Sequence, residues 1–596
     1  MPPPSRWWCP SFRSTTTRLS TSSSESGSAL SYPFGMQRFI DRIREGLAQA
    51  TGLERDELKI ESPRDSKLGD LAFPCFPLAR KLKQAPPKIA AELAEKVRIA
   101  GITTVATGPY LNFRIDRKEL AETVLGEIQG AQENFGESKI GLGKTVVLDY
   151  SSPNIAKRFH VGHLRSTIIG AAVRRLHDAL GYRTIGINHI GDWGSQFGKL
   201  VAAIDRWGDT VDLENDPLEA LSTLYVRVNE EEKSDPELAE AGRAAFRELE
   251  SGKQGHVRET WKHLTELSLQ EFDRAYQRLG VTFDFVRGEA FYEPYLRSTI
   301  ERIVEAGVAE TSEGALVVSL EGFKEKMPPC LLEKSDGTTL YATRDLAAAF
   351  HRFEEFRFER CLYVVGSAQK LHFQQLKAVL KRMNLEWEPR LEHVDFGMLS
   401  LPGGKLSSRK GSVLLLDELL NRAVEEARKV IEDKNPDLTD ADRIAEEVGI
   451  GAVIFNDLKR ERIKDVVFEW SEVLSFEGET GPYVQYTHAR LASILRKGAG
   501  REGSLDGSLL ENAAPILLSL GRFPGVVRNA AENSEPSELA QFLLSLCREI
   551  NSWLVPNKVL SEDPGLASSR LVLVRGAKIC IRSGLRLLGV AAPEEM

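Results

Sequence analysis

Apolar residues first settle into a regular pattern at Phe39, Ile40, Ile43 and Leu47, which line one face of a helix beginning near Met36. Segments 72–83 and 89–97 carry the same helical spacing, with Pro86-Pro87 as the break between them. Residues 107–115 read as a strand entered by a Gly-Pro turn, so 36–130 should form a small α+β domain. Lys144–Tyr150 is a short β-rich run, a helix follows from about Gly162, and Tyr182–Ile190 is a second strand-like run ended by Gly191. Helical stretches then alternate with a strand at Cys361–Val365. Strand–helix–strand order implies a parallel, Rossmann-like sheet with its ligand site at the carboxyl ends of the strands. After about Asp417 the strand patterns disappear and helices run to the end, as in 489–495 and 575–588. The expected architecture is multidomain α/β. A leader or upstream extension (1–35) precedes the small α+β domain (36–130). A Rossmann-like parallel-sheet domain with insertions (140–416) and an all-helical C-terminal domain (417–596) follow.

Composition narrows the class. A chain of 596 residues suggests roughly three to five domains. At 42% hydrophobic and 28% charged residues it has the make-up of a soluble globular protein. No run of about 18 apolar residues exists, so no membrane partner is expected. The six cysteines lie far apart with no CxxC pair, which argues against a zinc ribbon or a disulfide framework and for a reducing compartment. Net charge is −8, mild evidence against a nucleic-acid binder, although the sign of one face matters more than the sum. The first 35 residues are rich in Ser, Thr and Pro, with Arg6, Arg13 and Arg18 against one acid, Glu25, and cannot build a core. A transit peptide to a mitochondrion or plastid and an upstream extension are both open readings. Pro2, Pro3 and Pro4 spoil an amphipathic helix there, which favours a cytoplasmic protein effectively beginning near Met36.

Chemistry begins at His160-Val161-Gly162-His163, just past the first strand. A helix N-terminus offers free N–H groups and partial positive charge to phosphate. Two imidazoles at i, i+3 share a face, and Gly162 leaves room for a flat ring. Alone the pattern is weak, since two ordinary helix histidines fit it, while zinc is disfavoured because no Glu follows the first His. The surrounding string, residues 151–167 (SSPNIAKRFHVGHLRST), resembles the ATP-binding signature of the arginyl-tRNA synthetases, a class I family. By that resemblance His160 and His163 bind the ATP phosphates with Gly162, Asn154 touches the amino acid and Lys157 the phosphates.

Further strings extend the resemblance. Residues 188–198 (NHIGDWGSQFG) form a Gly-rich loop in which Gly191 permits close approach to a ligand, while Asp192 and Gln196 offer polar groups. In 335–349 (SDGTTLYATRDLAAA), Tyr341 and Asp345 fall at i, i+4, so a phenol and a carboxylate converge. Such a pair suits a guanidinium. Spacing alone favours a capped helix with a solvent-facing Asp; the resemblance implies that both grip the substrate side chain. Gln375 resembles a further contact and Glu289 is another candidate. Residues 405–412 (KLSSRKGS) resemble the KMSKS loop of class I synthetases but hold Ser408 at the second lysine position. Lys157 and Lys410 are the first candidates to meet the pyrophosphate, Lys405 and Arg409 the next.

The C-terminal region supplies candidates for RNA. Tyr483, Tyr486 and Arg490 lie in TGPYVQYTHAR (480–490), which resembles the opening of the family's anticodon-binding domain. Independently of any family, 564–593 lacks acids, and Arg575, Lys578, Arg582 and Arg586 follow i, i+3, i+7, i+11 spacing along one helix face. That row is either phosphate-facing or simply solvated. The resemblance covers about residues 36–596. It implies an arginine–tRNA ligase, mostly monomeric in this family, that uses ATP with Mg2+ held by phosphates and water and has L-arginine and tRNA(Arg) as partners. No protein-bound metal is expected. Another class I synthetase, a nucleotidyltransferase of the same superfamily and a non-catalytic tRNA-binding paralogue are the rivals. They would lack the Tyr341/Asp345 pair, the helical RNA domain, or one of the two histidines, respectively.

Overall fold

The computed structural model describes residues 35–596 except 64, 66, 324, 402–403, 406–413, 468, 471–474, 476–477 and 502. The leader expected over 1–35 falls almost entirely outside the described residues.

The N-terminal domain comprises α1 (Met36–Thr51), β1 (Leu71–Pro74), α2 (Phe76–Leu82), α3 (Pro86–Lys96), β2 (Ile102–Thr107), β3 (Tyr110–Ile115) and α4 (Arg117–Ala131). Met36, Phe39, Ile43 and Leu47 are the buried face of α1. Three readings are corrected here. Residues 71–74 form a strand paired antiparallel with β3, so the helix expected over 72–83 starts only at Phe76. Pro86-Pro87 opens α3 rather than separating two helices, because a proline in the first turn gives up an N–H that has no helical partner anyway. Residues 107–115 are two strands: Thr107 ends β2, Gly108 makes the turn, and β3 returns against it.

A five-stranded, all-parallel sheet carries the central domain. Its strands are β4 (Thr145–Asp149), β5 (Arg183–Asn188), β6 (Phe285–Val286), β10 (Arg360–Tyr363) and β11 (Leu391–His393), in the spatial order β11-β10-β4-β5-β6. From β4 the chain runs outward through α5 (Val161–Ala179) to β5, whereas β10 and β11 lie on the other side of β4. The strand order reverses between β4 and β10, and sheets of this kind bind ligands at the carboxyl ends beside such a switch point. Helix α5 is buried on nearly every side, as expected of a helix sandwiched between a sheet and another domain.

Helices α6 (Ser195–Trp207), α7 (Pro217–Glu231), α8 (Pro236–Glu250) and α9 (His256–Leu279) are inserted between β5 and β6. The short α10 (Glu289–Tyr292), α11 (Leu296–Glu305) and an antiparallel sheet of β7 (Ala309–Ser312), β8 (Ala315–Val318) and β9 (Cys330–Glu333) then lead to α12 (Tyr341–Phe356). Helices α12 and α13 (Lys370–Arg382) flank β10 in sequence, so both begin at the carboxyl edge of the sheet.

Beyond β11 come β12 (Leu399–Leu401), β13 (Gly404–Lys405), α14 (Leu416–Lys434), α15 (Ala441–Leu458) and β14 (Val466–Val467). β14 pairs parallel with β12, which corrects the expectation that strands end near Asp417. Four long helices close the chain: α16 (Gly481–Lys497), α17 (Ala514–Glu532), α18 (Pro536–Leu554) and α19 (Pro564–Leu588). Cys75, Cys330, Cys361, Cys547 and Cys580 are buried and free, consistent with use as small hydrophobes. Among the described residues no helix is long and apolar enough to cross a membrane.

Candidate functional site

The loop leaving β4 holds three non-glycine residues in the left-handed region: Ser151 (φ 72), Ser152 (φ 50) and Ala156 (φ 59). Such strain persists only where the surroundings over-determine it. Ser151 N–H donates to Ser166 Oγ (2.9 Å), and its hydroxyl meets Thr167 Oγ1 and the Tyr276 hydroxyl, each at 2.8 Å. Ser152 Oγ donates to Asp149 (3.0 Å), and Ala156 N–H donates to Ser268 Oγ (2.8 Å). The loop thus delivers His160 to the N-cap of α5 in a fixed orientation.

Hydrogen bonds assign the tautomers of the histidine pair. His160 Nδ1 accepts from Gly162 N–H (3.0 Å), and His163 Nδ1 accepts from His160 N–H (3.3 Å). In the neutral rings each Nε2 therefore carries the proton. Burial lowers the His160 value, as does Lys157. Burial, then His160 and Lys157, push His163 down to about 3. The pair consequently stays neutral near pH 7 and offers two N–H donors, with ring centroids 3.9 Å apart. A side chain at Gly162 would run into the His160 ring, its Cβ 2.7 Å from Cε1.

Asn154 and Gly191 form a parallel bridge, with Gly191 N–H on Pro153 O (3.0 Å) and Ile155 N–H on Gly191 O (3.1 Å). A Cβ at Gly191 would overlap Asn154 Oδ1, so a larger residue there would displace the Asn154 side chain. Lys157 lies over the Tyr225 ring at 5.8 Å. Leu414 O accepts from Val161 N–H (3.2 Å), and Leu415 bridges His160, so the chain just after the basic loop is tied beside the first histidine. Only the backbone of Lys405 in β13 is described, and Arg409 and Lys410 lie outside the described residues.

Acids gather at the same sheet edge. Buried Asp192 accepts from Ala290 N–H (2.9 Å), and burial raises its carboxyl to about 6. Burial likewise raises Glu289 to about 8; Arg344 opposes this, while Asp345, Asp192 and Glu293 add to it. Glu289 Oε2 is buried without a hydrogen-bond partner. Asp345, one turn into α12, meets His372 Nε2 at 2.5 Å through Oδ2, and its Oδ1 lies 3.8 Å from His189 Nε2. Burial works to raise the Asp345 carboxyl, but His372, His189 and Arg352 outweigh it and hold it below the usual value. Arg352, two turns further along α12, is fully buried and pairs with Asp149 at 2.8 Å.

The sequence candidates are distributed unevenly. Asn154 bridges Gly191, Asp192 accepts from the backbone of Ala290, and Glu289 feels the charges of Asp192 and Asp345 near the carboxyl ends of β4 and β5. Tyr341 opens α12 at 63% exposure, one turn before Asp345. Gln196 is half-buried in the first turn of α6. Gln375 donates its amide to the Pro328 carbonyl (3.0 Å), a tie to the segment before β9. Sequence reasoning missed His189, His372, Arg352 and Asp149; Arg352 stands at i+7 from Asp345, a spacing that would have exposed it.

The RNA candidates lie elsewhere, on the C-terminal helices. Tyr483 is half-buried with its hydroxyl on Asn551 Nδ2 (3.2 Å), and Arg490 donates to Asn551 Oδ1 (3.0 Å). Tyr486 is 47% exposed. The basic row on α19 faces acids just after the helix and from far earlier in the chain: Lys578 meets Glu594 (2.7 Å), Arg582 meets Glu133 (3.1 Å) and Arg586 meets Glu137 (2.8 Å). Arg575 is half-buried. Acids from outside 564–593 therefore face this row, and its contact with phosphate stays an expectation.

A sheet switch point with two neutral imidazoles at a helix N-terminus and acids at the same sheet edge is the arrangement of a class I aminoacyl-tRNA synthetase. The family of class I (R) tRNA synthetase catalytic domains matches residues 128–470, the arginyl-tRNA synthetase N-terminal domain matches 37–115, and the DALR anticodon-binding domain matches 484–596. The arginine–tRNA ligase of Exiguobacterium sibiricum is 45% identical over 94% of this chain and 99% of its own length. Arginine–tRNA ligase 1 of Bacillus thuringiensis subsp. konkukian is 47% identical over 90% of this chain and 95% of its own. The solved arginyl-tRNA synthetase of Thermus thermophilus superposes with a TM-score of 0.81 at 27% identity, covering 94% of this chain and 100% of that one. The chain belongs to the arginyl-tRNA synthetase family.

Proposed function

We propose that this site activates L-arginine with ATP and passes it to tRNA(Arg). The arginine carboxylate attacks the α-phosphorus, the α–β phosphoanhydride bond breaks, and pyrophosphate leaves. The 2′-hydroxyl of the terminal adenosine then attacks the carbonyl carbon of arginyl-adenylate, and AMP leaves. No covalent enzyme intermediate is needed, so rate comes from positioning and from donors aimed at developing charge.

The observation that carries this reading is the pairing of two neutral Nε2–H donors with an acid-lined wall at one sheet edge. His160 and His163 donate to phosphate oxygens, with Lys157 and a cation of the 405–412 loop balancing the pyrophosphate. Asp345, Glu289 and Asp192 receive the cationic substrate, with Tyr341 at the head of α12 and Asn154 beside the α-carbon groups. Mg2+ arrives with ATP, held by phosphates and water. Tyr486 and Arg490 are the RNA-facing candidates on α16. We take the enzyme to be monomeric and cytoplasmic.

Amino-acid-dependent ATP–pyrophosphate exchange, measured across the twenty amino acids with and without tRNA, tests the reading. Exchange with arginine in the presence of tRNA is expected. Exchange with a different amino acid alone, or none with tRNA present, overturns it.

A further inference from the structure

The string HFQQ (372–375) carried a glutamine as the sequence candidate, yet its histidine is the residue that reaches the acid. His372 Nε2 meets Asp345 Oδ2 at 2.5 Å. The side chain of Asp345 keeps 24% exposure, and its Oδ1 lies 3.8 Å from His189. A lone carboxylate turns freely about its last torsion; one oxygen held on a fixed ring sets the plane of the other.

We propose that His372 is the positioning residue for the cationic end of the substrate. It holds Asp345 Oδ2, aims Oδ1 at a guanidinium N–H, and loses its own extra proton when the guanidinium docks. This rests on the reading of Asp345 given under Proposed function.

The groups facing the pair come from every neighbouring element. Arg352 lies on α12 itself, His189 just past β5, Glu289 on α10 and Tyr363 on β10. Arg352 is already matched by Asp149, so Asp345 stays available, beside Glu289 and Asp192, to an incoming cation. Burial works to lower the His372 value, and the hydrogen bond and charge of Asp345 outweigh it, so the net direction is up. A guanidinium on Asp345 removes that support and adds a like charge, which lowers the value again. Protons thus leave as arginine binds. Affinity rises with pH across the window between the His372 values of the complex and of the free enzyme, and is lost below it. Glu289 and Asp192 act with the same sign, since a cation favours their ionised forms, so His372 accounts for part of the slope.

The test measures KM for arginine, KM for ATP and kcat in tRNA aminoacylation from about pH 6 to about pH 8.5 for the wild type, His372→Ala and His372→Gln. Glutamine keeps a donor near the position of Nε2 but does not titrate. His372→Ala is expected to raise KM for arginine about tenfold, with kcat and KM for ATP moving far less. His372→Gln is expected to recover most of that loss near pH 8 and to show a shallower pH dependence of KM for arginine than the wild type. Equal impairment by Ala and Gln overturns the proposal, as does an unchanged KM for arginine in His372→Ala or a wild-type pH slope in His372→Gln. Should His372→Ala fail to fold, the slope of His372→Gln still decides. Wild-type protein that fails to exchange pyrophosphate with arginine refutes the underlying function instead.

Discussion

Helices α12 and α19 both carry charges at helical spacing, and the two rows end in opposite situations. On α12, Asp345 and Arg352 point into the sheet edge. Arg352 is used up by Asp149, while Asp345 is held by His372 through one oxygen. On α19, Lys578, Arg582 and Arg586 look like a row of phosphate contacts, yet each has an acid across from it. A row of charge acquires a role from what the fold sets opposite it, and sequence spacing does not report that.

Four outcomes sharpen this contrast. Arg352→Met strands Asp149 at 6% side-chain exposure and should cost about 3–5 kcal/mol, read as a fall in the urea midpoint. A stability change under about 1 kcal/mol would show that the α12 pair is no more consequential than a surface one.

Asp345→Asn removes an acceptor for the substrate cation and should raise KM for arginine roughly tenfold to hundredfold. An unchanged KM would take Asp345 out of the pocket.

Glu289→Gln probes the same wall through pH. Its carboxyl is raised by burial to about 8, so the folded enzyme favours the neutral form. The wild type then loses stability as pH climbs from the ordinary carboxylate range toward about 8. The substitution should raise Tm clearly above that window and only slightly near its lower end. Equal shifts at both ends would refute the assignment.

Smallest is Arg582→Ala with Arg586→Ala. These side chains are 50% and 53% exposed, so each pair is worth at most about 1 kcal/mol. Stability should drop slightly, and the salt dependence of tRNA binding should stay as in the wild type. A shallower salt slope would return the row to RNA.

Periodicity made much of this architecture legible, because core faces impose themselves on sequence. The α1 face and the parallel strands at 145–149, 183–188 and 360–363 were readable within a residue or two. Local rules failed where tertiary pairing overrode them. Leu71–Pro74 is a strand only because β3 lies beside it, and Val466–Val467 only because β12 does. In the site, His160 and His163 were visible as neighbours in sequence. Arg352 shares a helix face with Asp345, but Asp149, His189 and His372 come from three other segments, and no spacing rule unites residues that only the sheet edge assembles. The bond from Gln375 to the Pro328 carbonyl likewise joins segments that sequence spacing does not bring together.

The outer domains also touch each other without the sheet between them. Phe135 stacks on Phe523 at 5.6 Å, and a Cβ at Gly521 would press on Met36 and Val124. Side-chain packing, besides the connecting chain, thus sets how far the first domain lies from the helical one. A linker lengthened without touching these contacts would leave that spacing in place.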